Sequence, residues 1–224
     1  ASRHIYAAQP LAWDRRWRLI LVVGELAPKE REHLRRALFW QGFGVLGADC
    51  FVHPNADLGG ALDALVADGM GDLLGRLMTM LAVQAGFDRT ATHEDMVKKA
   101  WNLDQLASAY QDFIDTYQPI LEELRPGAQH AIDDQSAFLL RILLIHDYRR
   151  LLLRDPELPD VLLPPDWSGQ KARLLCKELY RRLLAPSERH LEQHFQLADG
   201  TTPKALPMLG ERFRNDAPLA DMAA

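Results

Sequence analysis

A leucine- and arginine-rich stretch that runs into a proline-rich segment constrains the fold of this chain most. It spans residues 138–169 and reads FLLRILLIHDYRRLLLRDPELPDVLLPPDWSG. Apolar residues recur in its first half at close to the 3.6-residue period of an α-helix, so this half predicts a helix that begins near Asp134. Asp155 and Pro156 are expected to end it, because the residue before a proline is disfavoured in the α region. Four prolines within ten residues then stiffen the connection to Ser168, which suits the N-cap of the next helix.

Two blocks of the sequence resemble the PaaX family of bacterial transcriptional regulators, which repress phenylacetate degradation. The block HDYRRLLLRDPELPDVLLPPDWSG, residues 146–169, is similar to the C-terminal region of that family. The block IYAAQPLAWDRRWRLILVVGELAPKEREHLRRALFWQGFGVLGADCFVHP, residues 5–54, is similar to the start of its middle domain. Members of this family usually begin with a winged helix-turn-helix, and this chain is expected to start after that domain would have ended.

The composition argues against several classes of protein. The net charge is −5 and the pI is near 5.9, which gives no electrostatic case for nucleic-acid binding by the chain as a whole. Cys50 and Cys176 lie in different segments, so a disulfide framework is not expected and a reducing cytosol fits. The sequence shows neither a signal peptide nor an apolar run of about 18 residues that could span a membrane. We therefore expect a soluble cytoplasmic protein.

The N-terminal part predicts alternating strands and helices. Local patterns predict strands at 19–23 and 45–52, and helices at 28–40 and 56–67. Residues 73–84 are apolar and fit a strand or a helix. The family resemblance favours a strand, since it implies a ferredoxin-like middle domain with βαββαβ order. Domains of that kind resemble the CRISPR-associated integration nucleases, although no residue pattern here indicates nuclease activity.

The C-terminal part predicts a bundle of three or four helices. Residues 101–124 form a long amphipathic pattern that contains Pro119, and the helix of the leucine- and arginine-rich stretch follows it. A further helix is expected at 169–184, interrupted by Pro186 and Ser187 and followed by a short helix that ends at Phe195. The predicted class is α+β, a ferredoxin-like domain followed by a helical domain. The predicted limits are 1–88 for the lead-in and ferredoxin-like domain, 89–198 for the helical domain, and 199–224 for a poorly ordered tail.

Arginines cluster in the C-terminal half of an otherwise acidic chain. Guanidinium groups suit phosphate and carboxylate ligands, because they offer paired donors in a fixed geometry. The resemblance implies an aryl-acetyl-coenzyme A effector, typically phenylacetyl-CoA. The predicted ligand-binding residues are Arg141, His146, Tyr148, Arg149, Arg150, Arg154 and Trp167. The alternative is ordinary ion pairing of the arginines with nearby acidic residues, namely Asp147, Asp155, Glu178 and Glu188.

A second group of arginines lies at the entry to the first predicted strand. Arg15, Arg16 and Arg18 stand beside Trp13 and Trp17, so cations alternate with aromatic rings as in a nucleic-acid contact. We predict DNA contact at these three arginines. The alternative is that the tryptophans pack the strand entry while the arginines are solvated.

The histidines predict no catalytic residue and no metal site. His146 and Asp147 are adjacent on a predicted helix and point about 100° apart, so they do not face each other as a catalytic dyad would. His190 and His194 have the spacing of two metal ligands on one helix face, but Glu192 between them is at the wrong offset for a metalloprotease motif. No cofactor is expected.

These observations predict the effector-sensing and dimerisation part of a repressor of aromatic-acid catabolism. Its expected partners are a second copy of the chain, operator DNA through the full-length protein, and an aryl-acyl-CoA. One alternative is an enzyme, either a CoA-handling transferase or a nuclease, for which Glu25 near the first strand is the candidate carboxylate. Another alternative is an interaction scaffold without a ligand.

Overall fold

A computed structural model describes residues 12–85, 90–125 and 132–195 of the chain. In these residues four strands run over Trp17–Val22 (β1), Gly44–Val45 (β2), Cys50–His53 (β3) and Leu77–Ala82 (β4). The α-helices run over Pro28–Phe39 (α1), Leu58–Ala67 (α2), His93–Ala100 (α3), Leu103–Glu123 (α4), Asp134–Leu152 (α5) and Ser168–His194 (α6). Two 3-10 helices run over Gly71–Arg76 and Asp160–Leu162.

The described residues divide into two compact units. The sheet unit holds residues 12–85, 90–106 and 153–165, and the helical unit holds residues 107–125, 132–152 and 166–195. The antiparallel sheet with its helices, followed by a helical part, confirms the predicted α+β class. The predicted limits at 88–89 and 198–199 and the predicted disordered tail lie outside the described residues, so they stay predictions.

The sheet unit has the predicted βαββαβ order. Its elements follow the chain as β1, α1, β2, β3, α2 and β4, and the sheet order is β2-β3-β1-β4 with antiparallel neighbours. One face of the sheet is covered by α1 and α2. Its core contains Ile20 and Phe51 from the strands, Leu34 and Leu38 from α1, and Leu65 from α2.

The opposite face of the sheet carries exposed apolar side chains. Successive residues of a strand point to opposite faces, so Leu19 and Leu21 of β1 lie on the face away from Ile20. Their partners on β4 are Met80 and Met78, which are 42% and 47% exposed. Because β4 is an edge strand, this face is apolar at its open edge.

Local hydrogen bonds fix where the helices of the sheet unit begin. The backbone N–H of Ala27 donates to the carboxylate of Glu30 at 2.8 Å. Pro28 is the first residue of α1. Proline is favourable there, because a backbone N–H at the first helical position would have no hydrogen-bond acceptor within the helix. Thr92 and Asp95 cap α3 reciprocally, since each side chain accepts the backbone N–H of the other.

Two predictions for the sheet unit are corrected by the structure. The predicted single strand at 45–52 is instead a hairpin of β2 and β3, because the chain turns at residues 47–49 and the N–H of Leu46 donates to the carbonyl of Cys50 at 2.9 Å. The region at 73–84 is a strand only over Leu77–Ala82, directly after the 3-10 helix that ends at Arg76. The eight-residue helix α3 was not predicted, because it is too short to show a clear apolar period.

The helical unit contains α5, α6 and most of α4. Phe113 and Tyr117 of α4 and Leu144 and Tyr148 of α5 are buried, and Phe113 lies 5.7 Å from Tyr148 between ring centroids. The predicted break at Pro186 is wrong, since α6 continues through it to His194. No described helix is long and apolar enough to cross a membrane.

Candidate functional site

A cleft of about 1060 Å³ opens in the sheet unit. One wall is α1, which presents Glu32, Arg35, Arg36 and Phe39 at spacings of three and four residues that place side chains on one helix face. The rest of the lining comes from Phe43, from Val45, Gly47 and Ala48 of the β2–β3 hairpin, from residues 98–106, and from Arg154 and Pro156. The cleft is therefore assembled from segments far apart in sequence.

Trp101 has the largest aromatic ring system among the lining residues. Its indole Nε1 donates a hydrogen bond of 3.0 Å to the carbonyl oxygen of Gly42. A Cβ at Gly44 would lie 2.6 Å from the indole ring, so only glycine lets β2 approach Trp101 this closely. The indole also stacks on Trp17 at 6.3 Å between ring centroids. These contacts fix the ring before any ligand arrives.

Positive charge dominates the rim of the cleft. Five exposed cations line it, namely Arg35, Arg36, Lys98, Lys99 and Arg154. Lys98 pairs with Glu94 at 2.9 Å, while the other four form no ion pair with a described residue. Glu32 and Asp104 are the carboxylates in the same lining. Cations around an aromatic and aliphatic surface suit a ligand that carries both phosphate or carboxylate groups and an apolar part.

His53 holds the segment that brings Arg154 and Pro156 to the cleft. The imidazole is 8% exposed, and its Nδ1 accepts the N–H of Asn55 at 2.9 Å. It also forms a hydrogen bond with the backbone of Pro156, for which the remaining Nε2–H is the donor. Burial, assisted by the nearby Arg18, lowers the pKa of His53 to about 4. The ring is therefore neutral at pH 7, as this pair of hydrogen bonds requires.

The predicted ligand-binding residues do not come together in one site. Arg154 lines the cleft, and the other six lie in the helical unit. Tyr148 is buried against Phe113, and Trp167 packs edge-on against Tyr110 at 5.7 Å. Three of the predicted residues have exposed side chains on α5, namely His146, Arg149 and Arg150. A ligand role for these six stays a prediction.

Arg141, the remaining predicted residue, takes part in a contact between α5 and α6. Its guanidinium donates to Glu188 at 2.5 Å and lies 5.8 Å from the ring centroid of Tyr180. Arg182 likewise pairs with Glu178 and donates to two backbone carbonyls at the end of α4. The alternative of ordinary ion pairs therefore describes both arginines in this structure.

The predicted DNA-contact arginines differ from one another. Arg18 forms hydrogen bonds of 2.6 and 2.9 Å with Asp14 and donates to the carbonyl of Pro54, so it stabilises the start of β1. Arg15 and Arg16 are exposed. Trp13 and Trp17 pack edge to face at 5.1 Å, as the structural alternative expects for the tryptophans. DNA contact at these arginines stays a prediction.

The histidines and acidic residues considered as candidates for catalysis or metal binding make different contacts. His190 and His194 stack on each other at 4.5 Å between ring centroids. Asp147 accepts a hydrogen bond of 2.8 Å from the hydroxyl of Tyr117, while its neighbour His146 is exposed. Across the described parts of the chain, no group of three His, Cys, Asp or Glu side chains could hold a metal ion.

Sequence reasoning missed most of the cleft. Arg35 and Arg36 belong to a charged helix pattern that is equally typical of a solvated surface. Lys98 and Lys99 lie in the last turn of α3, which ends at Ala100, and Trp101 follows the helix directly. This sequence of two lysines and a tryptophan after a capped helix is the one local signal that could have indicated the site.

Two family models and a curated relative that match this chain all belong to the PaaX proteins. The model of the PaaX protein central Cas2-like domain matches residues 10–73, and the model of the PaaX-like protein C-terminal domain matches residues 101–193. The transcriptional repressor PaaX of Escherichia coli K12 is 30% identical over 213 residues. That alignment covers 95% of this chain and 66% of the relative, so this chain spans just under two thirds of its length.

A solved structure is also similar. The uncharacterised protein Rv0674 from Mycobacterium tuberculosis is 22% identical, with a TM-score of 0.49, and the match covers 82% of this chain and 67% of that chain. The two family models match successive regions of one sequence, and the curated relative aligns with nearly all of it. The chain therefore belongs to the PaaX family.

Proposed function

We propose that this chain is the effector-sensing and dimerising part of a transcriptional repressor of phenylacetate catabolism. The observation that carries this proposal is its relationship to the transcriptional repressor PaaX over 95% of the chain. The effector is an aryl-acetyl-CoA such as phenylacetyl-CoA, and the protein acts by binding, without catalysis. Incubation with divalent metal and nucleic acid tests the last point, and we expect no cleavage.

The cleft of the sheet unit supports an effector of this chemistry. Coenzyme A thioesters carry several phosphate charges, and Arg35, Arg36, Lys99 and Arg154 offer cationic donors for them. Trp101 and its apolar neighbours offer contact to the uncharged part of the ligand. We therefore assign effector binding to this cleft.

Release from DNA follows from linkage between two states of the full-length protein. A ligand shifts an equilibrium only by its difference in affinity for the two states. The effector would have a higher affinity for the state that cannot bind the operator than for the operator-bound state. Operator DNA would then weaken effector binding by the same factor.

Dimerisation is assigned to the open β4 edge of the sheet and to the exposed apolar side chains beside it. Met78, Met80, Leu19 and Leu21 form a contiguous apolar group there. Exposed apolar groups beside an unpaired strand edge favour association with another chain. A second copy related by a two-fold axis would present the same group, so the surface is complementary to itself.

Operator recognition is assigned to a winged helix-turn-helix of the full-length protein, as the family resemblance implies. The net charge of −5 gives this chain little attraction for a polyanion. Arg15 and Arg16, which are exposed, would add contacts to the DNA backbone.

Effector binding is tested by calorimetric titration and thermal unfolding with phenylacetyl-CoA, with free CoA and phenylacetate as comparison ligands. A ligand at one hundred times its dissociation constant adds about 2.7 kcal/mol to the stability of the folded state. The double variant Arg36→Ala/Arg154→Ala is expected to weaken binding by at least about tenfold, since hydrogen bonds to charged groups contribute about 1.5–3 kcal/mol each.

The matched control is Arg125→Ala, because Arg125 is an exposed arginine outside the cleft lining. It should bind phenylacetyl-CoA like the unchanged chain. Absence of binding by the unchanged chain would contradict the effector assignment. Full binding by the double variant would contradict the assignment of the effector to this cleft.

A further inference from the structure

A cluster of aromatic rings connects the cleft with the segment that precedes β1. Trp101, which lines the cleft, stacks on Trp17 of β1 at 6.3 Å between ring centroids, with 29° between the ring planes. Trp17 is 1% exposed and contacts Trp13 edge-on at 5.1 Å. The imidazole of His93, the first residue of α3, packs edge-on against Trp13 at 4.8 Å. We call these four residues the aromatic cluster.

The helix α3 contacts the aromatic cluster at one end and the cleft at the other. At its first residue, Nδ1 of His93 accepts the indole N–H of Trp17 at 3.0 Å. Burial and the nearby Arg15 lower the pKa of His93, so the ring is neutral at pH 7, as this hydrogen bond requires. Lys98 and Lys99 in the last turn of α3 line the cleft. A ligand bound to these lysines therefore contacts the same eight-residue helix that holds Trp17.

Residues 13–16, which we call the entry bend, have a strained backbone. Arg15 has φ of +60°, in the left-handed region that residues with a Cβ adopt only at a cost in free energy. The N–H of Arg16 donates to Asp14 at 3.0 Å, and the indole N–H of Trp13 donates to the carbonyl of Arg16 at 3.1 Å. Because such a conformation persists only where its surroundings hold it, the entry bend depends on the position of Trp13.

The entry bend has two accessible arrangements. Trp13 is only partly buried and precedes β1, so its ring can leave the aromatic cluster while the sheet stays intact. Release would relieve the backbone strain at Arg15 but would lose the contacts of Trp13 with Trp17 and His93. Left-handed strain and aromatic pairing are of similar size in free energy. A small additional interaction is therefore enough to shift the balance.

We propose that a ligand in the cleft stabilises the entry bend through the aromatic cluster. This inference rests on the proposed function, because the effector is the ligand that would fill the cleft. A ligand that immobilises Trp101 and α3 fixes both contacts of Trp17, which favours the docked position of Trp13. The bend carries the exposed Arg15 and Arg16, so occupancy of the cleft determines where these two cations lie. By linkage, docking of the bend raises the affinity for the ligand by the same factor.

The test measures the affinity of the full 224-residue chain for phenylacetyl-CoA by calorimetry in variants of the entry bend. These variants alter no residue of the cleft lining. Trp13→Ala should weaken binding at least about fivefold, which is the lower end of typical coupling between sites. Addition of Arg15→Gly should restore most of the affinity, because glycine adopts the left-handed conformation without strain.

The matched control is the double variant Trp13→Ala/Arg15→Ala. It removes the same charge as Arg15→Gly but keeps the backbone strain, so it should bind as weakly as Trp13→Ala alone. Trp13→Phe, which keeps an aromatic ring in the cluster, should retain most of the affinity.

Hydrogen exchange gives a second readout, which does not depend on the variants. Saturating phenylacetyl-CoA should slow exchange of the backbone amides of residues 13–16 in the unchanged chain at least about fivefold, although these residues do not line the cleft. Unchanged affinity in Trp13→Ala, equal affinities of the two double variants, or unchanged exchange would each overturn the coupling and leave the proposed function standing. No binding of phenylacetyl-CoA by the unchanged chain would overturn both.

Discussion

At the scale of single residues, the buried side chain of His53 holds three segments of the sheet unit together. His53 on β3 contacts Gly42, accepts a hydrogen bond from the backbone of Asn55, and bonds to the backbone of Pro156. Gly42 has φ of +84°, and a Cβ there would lie 3.1 Å from the imidazole and 3.3 Å from the Pro156 carbonyl. The local chemistry of one residue thus determines where the segment with Arg154 lies.

Protonation of His53 is expected to destabilise the fold at mildly acidic pH. Its pKa is about 4 in the folded state against about 6.5 in the unfolded chain, so the unfolded chain binds more protons between these values. The stabilising contribution is complete above pH 6.5 and is lost as the pH falls towards 4. We expect a loss of about 2 kcal/mol in unfolding free energy between pH 7 and pH 5, measured by urea denaturation.

His53→Gln is the control for this pH dependence. It retains a donor and an acceptor but cannot titrate, so its stability should fall less than that of the unchanged chain between the same two pH values. Exposed carboxylates such as Asp14 and Asp95, whose pKa values are lowered by their hydrogen bonds, contribute equally to both proteins. The same pH dependence in both proteins would show that His53 is not responsible.

Removal of one partner of the Arg141–Glu188 pair is expected to destabilise the helical unit. The two side chains are 12% and 15% exposed, so Arg141→Met would leave a mostly buried carboxylate without its cation. We expect a loss of about 2–4 kcal/mol in urea denaturation. The double variant Arg141→Met/Glu188→Met should recover most of it. Equal losses in the single and double variants would contradict the pairing, and titration of the double variant with phenylacetyl-CoA tests the predicted ligand role of Arg141.

At the scale of elements, apolar periodicity was sufficient to predict α1, α4, α5 and β1, but not the uninterrupted course of α6. α1, α4 and α5 each keep their apolar pattern over three turns or more. Pro119 lies inside α4, as the sequence predicted. Periodicity did not identify the buried face of α5. Leu139, Ile142 and Leu143 are about half exposed, while the buried side chains of α5 include Leu144 and Tyr148. Both sides of that helix are apolar, so its burial depends on neighbours that the local pattern does not name.

The continuity of α6 through Pro186 has a tertiary cause. Proline in a helix interior removes one hydrogen bond and costs about 3 kcal/mol relative to alanine. Leu183 and Ser187 on either side are fully buried, and Arg141 of α5 reaches Glu188 in the next turn. Packing of both flanking turns against the same unit offsets the local cost. The sequence predicts the cost but not the packing.

Pro119 offers a test of the same balance at an exposed position. It lies inside α4 with its side chain in solvent, so little packing is lost on substitution. Pro119→Ala should raise the unfolding free energy by about 1–2 kcal/mol, less than the full helix cost because proline also restricts the unfolded chain. Asp112→Ala, exposed on the same helix, should change stability by less than about 0.5 kcal/mol. A lower denaturation midpoint for Pro119→Ala would contradict this expectation.

The cleft could not be predicted from any single element. Its cations come from α1, α3 and the segment after α5, and they meet only because β2, Trp101 and His53 bring those segments together. The arginines that stand out in sequence lie mainly on α5 and α6, where contacts between helices use at least two of them. Clustering in sequence and clustering in space are therefore different observations in this chain.

At the scale of the whole molecule, the open β4 edge of the sheet and the exposed methionines on it predict a two-fold dimer. Met80 lies at the open edge and is 42% exposed, and in a self-complementary contact each copy would present it to the other. Met80→Glu would place carboxylates in that apolar contact and weaken the dimer by at least about tenfold. Analytical ultracentrifugation over a range of concentrations measures this change.

Val161→Glu, at a 77% exposed position away from the sheet, should dissociate like the unchanged chain. Equal dimer stability in both variants would move the interface to another surface, whereas a monomeric unchanged chain at all concentrations would contradict the proposed dimer itself.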